Sequence, residues 1–252
     1  MSDNFVFDGR HSLDNMGIYV DSITRPLFAE PKTVYEDIPG ADGELNFTTD
    51  NLKGRMCFKP RIIELECHFA GYDKTRERYI EKISNLANWL TTSENKRLTF
   101  DSEPNVYYMA HVANLFNVQD ITDCSGTFPL VFKCEPFRYG VEQLACSGTD
   151  GVGTTNLGYY TPFVIWIDGN ATDSIKITHN QTGKTFSINT PFDNSRAIID
   201  TENMTATMNG ISILHKCEGD FFELVPGINS ISVDYGEGGS GDITIMYSER
   251  FL

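Results

Sequence analysis

The chain has 252 residues, 22% of them charged and 40% hydrophobic, which excludes a disordered chain and leaves room for a full core in one or two domains. Lys and Arg total 20 against 35 Asp and Glu, a net charge of −15. A phosphate-binding surface needs a basic face, so direct nucleic-acid binding is not expected. No stretch approaches the roughly 18 to 20 consecutive apolar residues of a membrane span, and MSDNFVFDG has neither the basic segment nor the apolar run of a secretion signal. A soluble protein made in a cytoplasm is expected.

In chain order, Phe5 to Phe7 and Ile18 to Ile23 alternate as strands on either side of a polar turn around Asp14 and Asn15. A turn-rich segment, IPGADGEL, covers Ile38 to Leu45. Arg61 to Phe69 alternates again, with Ile63, Leu65 and Cys67 on the face expected to be buried and Ile62, Glu64, Glu66 and His68 on the other. From Thr75 to Leu90 the period becomes helical. Tyr79, Ile83, Leu86 and Leu90 form a stripe that Ile80, Ala87 and Trp89 broaden, so the helix should lie on a sheet. Thr75 can cap it, although Arg78 stands where a capping box has Glu or Gln. The basic run Lys74 to Arg78 opens this helix as a solvated face.

Arg97 to Phe100, Val106 to Phe116 and Gly126 to Cys134 read as three further strands. After about Gly140 nearly everything reads as short strands between turns: FVIWID, SIKITHN, KTFSIN, AIIDT, TATMN, ISILH, FFELV, SISVDY and DITIMY. Their density predicts a β-sandwich. The Gly-, Ser- and Thr-rich segment Cys146 to Gly158 reads as a linker or long loop. The expected domains are therefore 1–145, mixed β and α, and 146–252, all β.

Residue patterns with chemical potential are weak. The six cysteines, Cys57, Cys67, Cys124, Cys134, Cys146 and Cys217, have no CxxC spacing and read as reduced, strand-borne small apolar residues. A zinc site would need two adjacent strands to bring Cys57, Cys67, Cys124 and Cys134 together with His68 or His111, and close pairs are missing. The acidic pairs Asp42 with Glu44, Glu64 with Glu66, and Asp101 with Glu103 could serve acid–base chemistry only if the fold aimed both at one bond. GEGGSG, Gly236 to Gly241, lacks the Lys and Ser or Thr of a phosphate loop and reads as a hairpin. The histidines are scattered, and no nucleophile elbow is present. The aromatics Tyr159, Tyr160, Phe163, Trp166, Phe221 and Phe222 could stack on a sugar, but a sandwich core needs them too. No catalytic residue, metal site or cofactor is expected.

Taken together, FVFDGRHSLDNMGI, IPGADGEL, the helix ending WL, LTFDSEP and GTFPLVFKCEPFRYG, in this order, resemble the distal tail protein family of long-tailed bacteriophages and phage-tail-like particles. IIDTENMTATMNG, DFFELVPGINSISV and DITIMYSERFL resemble the closing strands of the same family. The likeness spans almost the whole chain; it rests on the ordered set of segments.

The resemblance implies a structural protein of the tail tip or baseplate. Its first half would be a belt domain, β-rich with one main helix, that assembles as a hexameric ring around the central channel. Its second half would be an all-β galectin-like sandwich outside the ring. The implied partners are the tail tube protein, the tail-associated hub or spike protein and, as a further candidate, the tape-measure protein. A ring needs two different surfaces that fit each other. The Pro-Gly and Asp-Gly turns shape either a rigid projecting loop, with Ile38, Pro39, Gly40, Asp42, Gly43, Glu44 and Leu45 as the expected subunit contact, or an ordinary hairpin turn. An acidic chain also suits a DNA passage, because it repels phosphates; a basic channel lining would overturn that. Two other classes remain open: a carbohydrate-binding adhesin, tested on a glycan array, and a cell-wall hydrolase, tested by zymography.

Overall fold

The computed structural model describes residues 3–40, 42–51, 54–71, 76–114 and 127–252. Thr75, Lys74, Phe116, Cys124 and Gly126 lie outside them, as does the Tyr79 side chain. The chain separates into two compact units, Met1–Arg138 with Leu252, and Tyr139–Phe251.

The first unit contains β1 (Phe5–Phe7), β2 (Arg10–His11), β3 (Ile18–Thr24), β4 (Tyr35–Asp37), β5 (Glu44–Asn46), β6 (Arg61–Phe69), helix α1 (Arg76–Leu90), β7 (Lys96–Phe100), β8 (Val106–Val112) and β9 (Thr127–Gly140). The main sheet runs β2-β1-β7-β8-β9-β6-β3, and β4 with β5 forms a separate two-stranded ribbon. Side chains alternate across a strand, so β6 buries Ile63, Leu65 and Cys67 and exposes Ile62, Glu64 and Glu66. The inward face gathers Phe5, Phe7, Leu98, Phe100, Leu130 and Phe132 into one core.

Helix α1 packs on that core through Leu86, Trp89 and Leu90, with Ile83 partly buried. Trp89 stacks on Phe5 at 5.8 Å between centroids and donates its indole N–H to the Phe7 carbonyl at 2.9 Å. Two residues expected to broaden the stripe do not: Ile80 and Ala87 are exposed. At 100° per residue they sit about 90 to 110° around the helix from the centre of the buried arc, where the side chain already clears the sheet.

The second unit contains β10 (Leu144–Thr149), β11 (Gly151–Asn156), β12 (Val164–Ala171), β13 (Ile175–His179), β14 (Lys184–Ile188), β15 (Phe192–Asp200), β16 (Thr205–Met208), β17 (Ile211–Ser212), β18 (Cys217–Gly219), β19 (Gly227–Asp234) and β20 (Ser240–Tyr247). One sheet runs β10-β20-β12-β15-β16-β17 and the other β11-β19-β13-β14-β18. Ile165, Ile167, Ile199, Ile243 and Ile245 of the first sheet share a core with Ile177, Phe186, Ile188, Ile231 and Val233 of the second. This is a β-sandwich, held by apolar residues at alternate positions of both inner faces.

Three local readings change. The segment Cys146 to Gly158 is mostly strand: β10 pairs with β20 and β11 with β19, so the chain steps from one sheet to the other at Asp150. Its glycines serve packing, because a Cβ on Gly148 would run into the Gly151 carbonyl. FFELV has no extended ladder, only a bridge between Leu224 and Thr161. Phe222 and Leu224 are buried at strand spacing, but side chains answer much of the local backbone. ISILH shortens to β17 followed by a 3-10 turn at Leu214–Lys216.

Across the described residues the fold is β-rich with one α-helix. No helix of the described residues is long and apolar enough to cross a membrane.

Candidate functional site

The expected contact residues all lie on or beside the β4–β5 ribbon. Tyr35 pairs with Asn46, Glu36 with Leu45 and Asp37 with Glu44. The ribbon's stem is fixed by the Lys32 N–H donating to the Cys57 carbonyl at 2.8 Å and the Phe47 N–H donating to the Val34 carbonyl at 2.8 Å. Gly40 and Gly43 at the tip have φ of 87° and 77°, a left-handed conformation that glycine adopts without steric cost. Ile38, Pro39, Gly40, Asp42, Gly43, Glu44 and Leu45 are all exposed.

Alternation gives the ribbon two unlike faces. Tyr35, Asp37, Glu44 and Asn46 share one, while Glu36, Leu45 and, in phase with them, Val34 and Ile38 share the other. Val34 is 46% exposed, Tyr35 51%, Ile38 43% and Leu45 48%. A two-stranded ribbon is marginal by itself. No ion pair or side-chain hydrogen bond of Glu36, Asp37, Asp42 or Glu44 occurs among the described residues.

The candidate chemical groups do not converge. Glu64 and Glu66 point outward from β6. Asp101 meets His11 at 3.1 Å, whereas Glu103 forms a two-point contact with Arg25 at 3.1 and 3.2 Å. His68 meets Asp21 at 2.8 Å, His111 meets Asn95 at 2.7 Å, and buried His179 lies between Thr182 and Asn229. Strands β6 and β9 do pair, but Cys67 stands opposite Phe128 and Cys134 opposite Arg61. Six residues of strand separate the thiols by roughly 20 Å. Burial pushes both thiols up to about 12, as expected of inert apolar cysteines. No metal-binding group of His, Cys, Asp and Glu occurs among the described residues.

GEGGSG is not a hairpin, since β19 and β20 belong to different sheets. Its glycines permit close packing: a Cβ on Gly241 would stand 2.5 Å from the Asp168 carbonyl oxygen and 2.7 Å from the Tyr235 ring. Among the aromatics, Phe163 and Phe222 are buried in the sandwich core, and Phe221 packs against it. One face of Trp166 carries the Arg196 guanidinium at 5.3 Å, which is itself bound to Asp168 at 2.7 and 2.8 Å. These side chains are occupied with one another.

Arg61 was not foreseen as a special residue. It occupies an inward position of β6 and is only 2% exposed. Its alternation with Ile63 and Leu65 is the one sequence signal that could have found it.

Two family descriptions match the chain. The phage tail protein RIFT-related domain covers residues 16–134, and the siphovirus-type tail component, C-terminal domain, covers residues 158–251. The fold is similar to the crystal structure of SPP1 Dit, described as a paradigm of the hub adsorption apparatus in phages infecting Gram-positive hosts. That match has a TM-score of 0.79 at 18% identity and covers 100% of both chains. It is also similar to a chain of the phage P2 baseplate in its activated conformation with Ca, with a TM-score of 0.51 at 8% identity over 100% of both chains. No curated protein sequence matches. Carrying both halves of a siphovirus-type tail component on one chain with the matching fold, the protein belongs to the distal tail protein family, whose members are structural parts of the phage tail and baseplate and not enzymes.

Proposed function

We propose that this chain forms a six-membered ring at the tail tip, around the central channel, with the tail tube protein on one side and the hub or spike protein on the other. The observation that supports this is the exposed β4–β5 ribbon, whose apolar face has no partner among the described residues and whose strands end in a tip shaped by two positive-φ glycines. In this reading Ile38, Pro39, Gly40, Asp42, Gly43, Glu44 and Leu45 contact the next subunit. Residues 1–145 act as the belt and 146–252 as a galectin-like sandwich carried on its outside. The tape-measure protein is a further neighbour, and the subunit is made in the host cytoplasm before it joins the tail.

Light scattering on a gel-filtration column, followed by negative-stain imaging, tests the ring. Six chains of 28.3 kDa give about 170 kDa, and ring-shaped particles of that mass are the expected result. A chain that stays monomeric at every concentration, and still forms no ring when mixed with the tube and hub proteins, would sink the proposal.

A further inference from the structure

The outward face of the six-stranded sheet in the second unit carries a row of polar side chains that packing does not explain. Ile165, Ile167, Ile243 and Ile245 belong to the sandwich core, so alternation sends Trp166, Asp168, Asp242 and Thr244 outward. The register sets Thr149 of β10 opposite Asp242 of β20, Asp242 opposite Asp168 of β12, and Asp168 opposite Arg196 of β15. Trp166 occupies the next outward position of β12, between Thr244 and Ile198.

Two carboxylates, those of Asp242 and Asp168, are thus directly opposed on neighbouring strands. Like charges so placed weaken a sheet, and Arg196 answers only one of them. It donates to Asp168 from Nε–H and Nη2–H at 2.7 and 2.8 Å, whereas Asp242 accepts, among the described residues, only from the Thr149 hydroxyl at 2.9 Å. A local choice that works against the fold is expected where a site is built.

The row is held rigidly and its polar groups are not used up. The Arg196 guanidinium lies 5.3 Å from the centroid of the Trp166 ring, and its two-point contact with Asp168 fixes its plane. Its remaining N–H groups, on Nη1 and Nη2, have no acceptor among the described residues. The side chains of Arg196 and Asp168 are 52% and 47% exposed. Asp242 is exposed, and Trp166 and Ile198 are half-buried. Neighbouring strands lie about 4.8 Å apart, so carboxylate acceptors and guanidinium donors follow one another within reach of the hydroxyls of a single sugar ring, with apolar side chains alongside for its C–H groups. Two carboxylates against one guanidinium leave the row net negative in a chain of net charge −15, which repels phosphate and uronate groups and selects a neutral ligand.

We propose that Asp168, Arg196 and Asp242, beside Trp166, form a binding site for a neutral pyranose, whose vicinal hydroxyls donate to the carboxylates and accept from Arg196. The contacts among Trp166, Arg196 and Asp168 are then the pre-organisation of the site. This goes beyond the ring reading and does not depend on it.

Tryptophan fluorescence of the full chain, titrated with the methyl glycosides of glucose, galactose, mannose, rhamnose and N-acetylglucosamine to about 100 mM, tests the site, with glycerol as the control for bulk polyol. The chain has two tryptophans and Trp89 is only 4% exposed, so Trp166 is the reporter, and Trp166→Phe assigns the signal. At least one neutral glycoside should give a saturable change with half-saturation at about 1 to 10 mM. Asp242→Asn and Arg196→Lys should each weaken it at least about tenfold, the second because an ammonium lacks the planar fork. Asp242→Asn relieves the opposed charges, so its melting midpoint should not fall; weaker binding in a chain that melts no lower separates loss of the site from loss of the fold. No saturable change with any of these glycosides, or a response that both variants retain, would overturn the site. A lower midpoint in Asp242→Asn would overturn the argument that Asp242 works against the fold, and a stronger response to methyl glucuronide than to the neutral glycosides would overturn the neutral specificity.

Discussion

His179 shows how one polar residue is made acceptable in the sandwich core. It is fully buried, stacked on Phe222 at 5.5 Å, and placed 2.7 Å from the Thr182 hydroxyl and 3.0 Å from the Asn229 side-chain oxygen. The Asn229 amide nitrogen donates to the Val225 and Gly227 carbonyls, so its oxygen accepts from His179 Nε2–H and from the Val225 N–H. A neutral imidazole satisfies this arrangement, with Nδ1 accepting from Thr182. Burial pushes the His179 pKa below 6.5, Asn229 partly opposing and Lys184 reinforcing it. The unfolded chain therefore binds more protons in this window. The contribution of His179 is complete above about pH 6.5 and is lost as pH falls through its lowered folded value. Thermal melting between about pH 7 and 5 should show a falling midpoint. His179→Phe should flatten that slope and cost about 1 to 3 kcal/mol at pH 7, because it leaves buried partners unpaired. An unchanged slope in the variant would exclude His179 as its source.

At the scale of elements, α1 is joined to its sheet by few residues of large effect. Trp89 combines stacking on Phe5, an edge contact with Phe7 at 6.0 Å and a hydrogen bond to the Phe7 carbonyl. Trp89→Ala is expected to cost about 3 to 5 kcal/mol in urea unfolding. Trp89→Phe keeps much of the ring packing and loses the bond, at about 1 kcal/mol for that bond. If the two variants were equally destabilised, packing would not be the main term. The ribbon is held differently, by hydrogen bonds at its stem and by no core of its own, so substitutions on its exposed faces should leave folding intact and act on assembly.

At the scale of the whole molecule, each unit has its own core, and the second begins at Tyr139. Strand β10 starts at Leu144 and pairs with β20 from Tyr247 to Asp242. A fragment from Tyr139 to Leu252 should therefore unfold cooperatively, and at a higher temperature than one starting at Cys146, which lacks the Leu144 and Ala145 pairings. Calorimetry of the two fragments measures this; equal midpoints would mean that the first two pairs of β10 contribute nothing. The excess of 15 negative charges makes self-repulsion the background against which any subunit contact forms, so local complementarity has more to overcome at low salt.

By itself the sequence determined the periodic parts. Strict alternation in Arg61 to Phe69 and the helical stripe through Ile83, Leu86 and Leu90 state which faces are apolar, and burial follows because apolar area is removed from water along those faces. The ordered segments also carried the family, since each is set by local turn and strand chemistry. The exposed positions of Ile38 to Gly40 and Asp42 to Leu45 were legible from the Pro-Gly and Asp-Gly turns. Only the tertiary structure decided the non-local pairings. The Gly- and Thr-rich segment around Asp150 became two strands because β19 and β20 offered free ladder groups, which no local propensity encodes. FFELV lost its ladder because the Asn156 and Asn229 side chains and a single bridge answered its backbone instead. Arg25 and Arg138 lie far apart along the chain, so their meeting at Glu103 exists only once β9 and the loop holding Glu103 are folded together.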